Sequence, residues 1–500
     1  MPTPLRRTSL AAVAALSLTA LAGTGQAARA DDQPRSTVAA PLGLWAPASL
    51  TLQRMGGMVY TDLGLRAIAH DRAFELRSTR ASYDDPIRTV WESPTGPVAL
   101  PDGTQTDFNG LPDLVKVTFT KDGATKPALT TSVSGCLSGY ITERVSPDAP
   151  ATSPYPRQCY YNPYSLGSVQ GIQAGWSTML IPNGLGVRLR TGHYTATATI
   201  AEPYASSWNL APQDATRTIE VTVEKGEGPI PVDRTRQHSP AAQPAAQPAA
   251  QRPTGQRAGD PPSTTPDLRA LPAWGIALSP NGKRLLFSAT VWNAGTSPLV
   301  VDGFRRDGED LMDAYQYFFD ADGEQTGYQQ VGQFEWDPRP THLHWHFEDF
   351  ASYTLLDASQ TEIEKSKKEA FCLANTDAVD LTVPNARWNV DNSDLSTACG
   401  DYSSLSVREV LASGWGDTYA QFRAGQAFAI DDLPNGTYYI KVAANPGGNL
   451  IESDTTNNTA LRKIVLSGKP GTKRKLTVEQ VGIIQEGCGG TAVVGAARGC

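Results

Sequence analysis

The sequence predicts a mainly β protein built from two β-sandwich-like domains joined by a Pro/Ala/Gln-rich linker. Three observations carry that reading. Short β-forming runs separated by turn residues fill 36–225 and again 266–468, the pattern of half-buried strands. Helical periodicity is scarce in both stretches. Between them, 226–265 is rich in Pro, Ala, Gln and Gly and holds three copies of Pro-Ala-Ala-Gln over 240–251, a composition that buries too little apolar surface to fold alone. With 500 residues, 40% hydrophobic and 19% charged, the chain has ample material for two cores.

Taken from the amino terminus, the first element is a basic start with Arg6 and Arg7, an apolar run over 10–21 and Ala28-Arg29-Ala30. This reads as a secretory signal over 1–30, removed in the mature protein. The paired arginines fit either general or twin-arginine export. The first sandwich, 31–225, has strands expected at 114–120, 194–200 and 216–223, with Lys121-Asp122-Gly123 as a turn. Tyr155, Tyr160, Tyr161 and Trp176 read as either core or a binding face, core being the safer reading, and no constellation in it suggests chemistry. The linker, 226–265, is expected to be an extended solvated tether. The second domain, 266–468, has strands expected at 284–292, 299–301, 353–356, 438–443 and 460–466. A tail, 469–500, adds a strand at 475–484 and a Gly/Ala-rich end. Arg190-Thr191-Gly192-His193-Tyr194 and Pro434-Asn435-Gly436-Thr437-Tyr438 echo one another at strand entries, through either shared local chemistry or duplication.

Charge and cysteine narrow the function classes. The formal net charge is −8 with no basic block, which argues against a nucleic-acid partner and suits a cationic one. After the signal no apolar run approaches the roughly 20 residues of a membrane span. Six cysteines without a Cys-x-x-Cys pair read as three local disulfides, Cys136–Cys159, Cys372–Cys399 and Cys488–Cys500, in a secreted, extracellular protein.

Chemistry concentrates in Thr341-His342-Leu343-His344-Trp345-His346. The chain has six histidines, and three alternate here, so a strand projects His342, His344 and His346 from one face. Over an ideal strand the outer two lie about 13 Å apart, and twist or a bulge is needed to bring all three rings onto one ion. Three neutral imidazoles with open positions suit copper or zinc; a solvated edge strand is the bland alternative.

The residues around this row resemble the catalytic domain of the lysyl oxidase family, in particular its secreted bacterial members, over about 265–466. Glu335-Trp336 precedes the row; Asp349-Phe350 and Tyr353-Thr354-Leu355-Leu356 follow it. Lys368-Glu369-Ala370-Phe371-Cys372-Leu373 is similar to the family's Lys-x-x-Phe-Cys-Leu, and Asp417-Thr418-Tyr419 precedes Gly436-Thr437-Tyr438 at the family's spacing. The resemblance implies the lysyl oxidase catalytic fold, Cu(2+) on His342, His344 and His346, and lysine tyrosylquinone formed from Lys368 and Tyr419. It implies oxidative deamination of primary amines, peptidyl lysine included, by dioxygen, with aldehyde, ammonia and hydrogen peroxide as products. Asp417, two residues before the quinone precursor, is the expected proton-abstracting base.

Asp267, Glu452, Asp454, Asn457 and Asn458 supply hard oxygen donors suited to Ca(2+), and the resemblance places that ion between the domain's first and last segments. The chain departs from animal members at Thr341, Trp415 and Gly425, where they have cysteines, and in a longer interval between Lys368 and Tyr419. Two further readings from other classes remain: a non-catalytic metal-binding or adhesion protein, and a zinc hydrolase.

Overall fold

A computed structural model of the chain describes residues 40–182, 184–226, 251–339, 343–366, 370–391, 393–421 and 425–486. The signal segment, His342, Lys368, Cys488 and Cys500 lie outside the described residues, as does most of the linker. The fold is mainly β, with only the short helices Tyr204–Ser207 and Pro212–Ala215 among the described residues. No described helix is long and apolar enough to cross a membrane.

In the first half a seven-stranded sheet runs in the order Leu185–Val187, Met58–Thr61, Ser49–Met55, Thr216–Lys225, Gly192–Ile200, Leu111–Lys121, Leu129–Gly135. Its central strand shows why these residues form strands. In Gly192–Ile200, Tyr194, Ala196, Ala198 and Ile200 are buried while the intervening threonines are half-buried, which is the two-residue alternation of a sheet with one face inward. Ala196 sits between Phe119 and Ile219 on its neighbours. Two four-stranded sheets complete this half, one of them ordered Gly167–Ile172, Phe74–Thr79, Arg88–Ser93, Gly96–Ala99.

The second half has three sheets around one core that includes Phe287, Phe334, Trp345, Phe347, Phe350, Tyr353, Phe371 and Trp415. The strands expected from sequence are present and somewhat longer: Arg284–Asn293, Leu299–Arg305, Ala351–Leu356, Gly436–Ala444 and Thr459–Gly468. One sheet carries the histidine strand, His344–Glu348, between Gln325–Asp337 and Ala370–Phe371. A second carries the tyrosine strand, Trp415–Tyr419, between Arg284–Asn293 and Asp377–Ala378. From the tail, Arg474–Val478 pairs with Thr459–Gly468. The end of the linker is ordered: Arg257–Ala258 pairs with Gln325–Asp337.

The two echoing strand entries prove to be one device used twice. The Tyr194 hydroxyl donates to the carbonyl of Arg190 at 2.9 Å, and the Tyr438 hydroxyl to that of Pro434 at 2.7 Å. Each is a tyrosine corner, in which the ring pins the turn four residues upstream.

Candidate active site and metal sites

The extended part of the histidine row begins at His344. Leu343 before it is exposed and has φ of 41°, in the left-handed region that a branched side chain adopts only under constraint. The regular strand thus starts immediately after Leu343. His344 and His346 remain side by side with ring centroids 4.7 Å apart. His344 is half-buried and His346 fully buried.

Across the hairpin, His346 faces Glu335 and His344 faces Asp337, so two carboxylates share the histidine face. Nδ1 of His346 lies 3.3 Å from Oδ2 of Asp337. A carboxylate beside one ring nitrogen is the arrangement that commonly braces a metal-bound imidazole. Burial raises the Asp337 carboxyl, but hydrogen bonds from the Arg339 side chain and backbone and the charges of Arg339 and His346 outweigh it, holding it well below the usual range. A soft-to-borderline ion held by imidazoles and backed by a buried carboxylate fits this donor set.

Tyr419 lies at the end of its strand and reaches the histidine sheet through Phe371. Phe371 pairs with Phe347 on the histidine strand and meets the Tyr419 ring edge-on, with centroids 4.7 Å apart. The Tyr419 oxygen accepts the Cys372 N–H at 3.1 Å and its hydroxyl donates to the Cys372 carbonyl at 3.3 Å. Phe347 and His346 project from opposite faces of their strand. The Phe371–Tyr419 contact therefore ties the phenol to the histidine strand from the face opposite the imidazoles. Burial, with Asp417, Glu409 and Tyr353 close by, pushes the Tyr419 phenol far above its ordinary pKa.

Asp417 is buried and on the same side of the strand as Tyr419. Its charge also helps to hold the buried Tyr353 phenol neutral. Two acids missing from the sequence-based site belong beside these groups. Glu409 is fully buried and accepts the Leu373 N–H at 2.8 Å. It also lies close to the sulfurs of Cys372 and Cys399, but these are joined to each other, so that trio lacks the thiolates a metal needs. Asp377, opposite Gly416, is the second.

The predicted oxygen cluster is assembled. Glu452 accepts the Leu268 N–H at 2.8 Å and the amides of Asn445 and Asn458 at 2.6 and 2.8 Å. The Asn457 amide bridges Asp267 at 2.9 Å and Asp454 at 3.1 Å. The carbonyl oxygens of Asn457 and Asn458 are buried without a donor. Orphaned acceptors beside three carboxylates fit a hard cation. Arg269, 2.7 Å from Asp267, was not foreseen and neutralises one of them. Burial raises the Glu452 carboxyl against its hydrogen bonds.

Cys136–Cys159 and Cys372–Cys399 are disulfides. A cleft of about 850 Å³ lies elsewhere, lined by Asp320, Asp322, Asn389, Asp394 and Arg408 among others. None of the predicted site residues lines it.

Comparison with known proteins points the same way. Residues 319–475 match the lysyl oxidase family model. A protein-lysine 6-oxidase of Rattus norvegicus is 31% identical over 138 residues, 27% of this chain and 30% of the relative. That of Sus scrofa is 30% identical over 138 residues, 49% of the relative. Lysyl oxidase homolog 1 of Homo sapiens is 29% identical over 136 residues, 27% of this chain and 21% of the relative. The chain thus spans less than half the length of these relatives. Through residues 319–475 the chain is thus similar to the lysyl oxidase family.

Proposed function

We propose that this chain is a secreted copper- and quinone-dependent amine oxidase. It would take primary amines, including the lysine side chains of polypeptides, to aldehydes with dioxygen as oxidant, releasing ammonia and hydrogen peroxide. The relatives named for lysine oxidation support the reaction class. The observation that carries the reading here is a side-by-side histidine pair with a carboxylate beside it, on a strand whose Phe347 pairs with Phe371, the residue against which the buried Tyr419 ring packs.

His342, His344 and His346 would hold copper, and Lys368 with Tyr419 would supply the quinone, an electron sink that accepts two electrons from an amine and passes them to dioxygen. The chain's own residues do the rest. Asp337 fixes the ring of His346. The Cys372 backbone grips the phenol oxygen from both sides. Phe371 and Tyr353 pack edge to face beside that ring, closing it from water. This pocket favours an uncharged phenol, and a neighbouring cation is what would lower its pKa toward ionisation. Asp417, buried on the same side, would take the proton from the substrate carbon. Asp267, Glu452, Asp454, Asn457 and Asn458 would hold calcium, fastening Leu268–Ala270 to the segment that follows Gly436–Ala444. The described disulfides support an oxidising compartment.

Peroxide release from the copper-loaded protein on addition of a simple primary amine, with positive quinone staining, is the expected result. Copper bound stoichiometrically with neither signal would overturn the reading in favour of a non-catalytic metal-binding protein.

A further inference from the structure

The composition of the linker describes two halves on a loose tether, but the contacts between 155–171 and the second half describe a welded seam. The Leu166 N–H donates to the Val379 carbonyl at 2.7 Å, the Leu381 N–H to the Gly167 carbonyl at 3.0 Å, and the Ser165 hydroxyl to the Ala378 carbonyl at 3.0 Å. Gly167 pairs in parallel with Asp380. The strand Gly167–Ile172 of the first half thus runs directly onto the stretch that continues Asp377–Ala378, the neighbour of the tyrosine strand. Approach at Gly167 is so close that a Cβ would fall 2.1 Å from an Asp380 carboxylate oxygen and 2.6 Å from the Thr382 hydroxyl.

Aromatic packing follows the same line. Tyr160 meets Trp415, the first residue of the tyrosine strand, edge-on at 4.9 Å, and Tyr155 stacks on Trp388 at 5.8 Å. Tyr164 is fully buried among residues that include Leu271, Trp274, Trp292 and Val379. Its hydroxyl donates to Glu486 of the tail at 2.8 Å, a carboxylate that also takes the Arg462 guanidinium.

Within the seam, one chain of hydrogen bonds has a fixed direction. Asn162 is buried, and its carbonyl oxygen is held by the Tyr164 N–H at 3.0 Å. Its amide therefore donates outward, to the Thr290 hydroxyl at 3.0 Å. That hydroxyl also receives the Trp274 indole N–H at 3.4 Å. A hydroxyl has two acceptor positions and one proton. With both positions taken, the Thr290 proton must go to the Thr418 hydroxyl, 2.7 Å away. Thr418 in turn bonds the Asp377 carboxyl. It is the residue before Tyr419, facing away from it.

We propose that the first sandwich is a permanent wall of the lysyl oxidase domain, and that Asn162 is a positioning residue holding the tyrosine strand through Thr290 and Thr418. The second part deepens the amine-oxidase reading and rests on it only for its catalytic consequence. Nothing passes along the relay. It sets the tilt of the strand end, and so the angle at which the Tyr419 ring is presented.

Two measurements on the full chain test this. A specific protease site placed within 227–250 and then cut should leave two fragments that co-elute on size exclusion; separate elution overturns the wall. Gly167→Val should drive the cut fragments apart, and fragments still joined would remove the seam from the account. For the relay, Asn162→Ala and Thr290→Val should speed amide exchange at Trp415–Tyr419 at least tenfold while leaving Gly436–Ala444 unchanged, with Thr290→Ser restoring it. Unchanged exchange at the tyrosine strand overturns the positioning role, whether or not a quinone forms. Where the wild type does form quinone, Thr290→Val should lower its yield per bound copper and Thr290→Ser recover it. A wild type without quinone refutes the amine-oxidase reading and leaves the exchange and co-elution results to decide this proposal.

Discussion

Nδ1 of His346 lies 3.3 Å from Oδ2 of Asp337, diagonally across the hairpin that presents the histidine face. An imidazole braced in this way keeps its orientation and basicity, and loss of such a carboxylate typically costs 10- to 100-fold in metal affinity. Asp337→Asn should therefore weaken copper by about one to two orders of magnitude. Chelator competition measures this, and undiminished affinity would show that the contact has no bearing on the metal.

Tyr419→Phe should abolish quinone staining and amine-dependent peroxide. It also removes the acceptor for the Cys372 N–H, a loss of about 1–3 kcal/mol for a buried donor left unpaired. A modestly lowered melting temperature with a retained fold is expected. Quinone persisting in this variant would move the precursor to another tyrosine.

The Asp377 carboxyl supplies a pH prediction for the metal-free protein. Burial raises it from 3.8 to about 6, against hydrogen bonds from Thr418 and Thr376. The folded protein therefore binds this proton more tightly than the unfolded chain, and the associated stability is full below about pH 4 and lost as pH rises through 6. Asp377→Asn mimics the protonated group. It should match the wild type at pH 4 and exceed it above pH 7 by up to ~3 kcal/mol, at 1.36 kcal/mol per pKa unit. Thermal melts at the two pH values check the sign; a variant less stable than wild type at pH 8 contradicts it.

Calcium should raise the melting temperature and a chelator should lower it, by an amount equivalent to ~2.7 kcal/mol when calcium is at a hundred times its Kd. Asp454→Asn keeps the acceptor that caps Thr456 but removes a charge. It should reduce the calcium-dependent shift and leave the calcium-free stability within about 0.5 kcal/mol of wild type. Equal calcium shifts in both proteins would exclude Asp454 from the site.

Local patterns were legible in the sequence because they are local. Alternation located Gly192–Ile200 and Gly436–Ala444, and the same period of two marked the histidines. Asp337 went unread because its partner lies across a hairpin, where spacing alone does not reveal a diagonal contact. Asn162, Thr290 and Thr418 are separated by 128 residues at each step, so no window connects them. The composition of the linker carries no information about Gly167 and Asp380, where the halves meet. Leu343 breaks the strand that the histidine spacing suggested, because local backbone constraint there overrides an alternation that hydrophobicity alone would extend.

Glu486 makes the carboxy-terminal segment a tripwire for the whole assembly. It accepts from Tyr164, from Arg462 and, at 3.1 Å, from the Gly275 N–H. Clipping the polypeptide just upstream would strand a buried guanidinium and a buried hydroxyl at once, in places far apart in sequence. Loss of this one glutamate would therefore loosen contacts in both halves together.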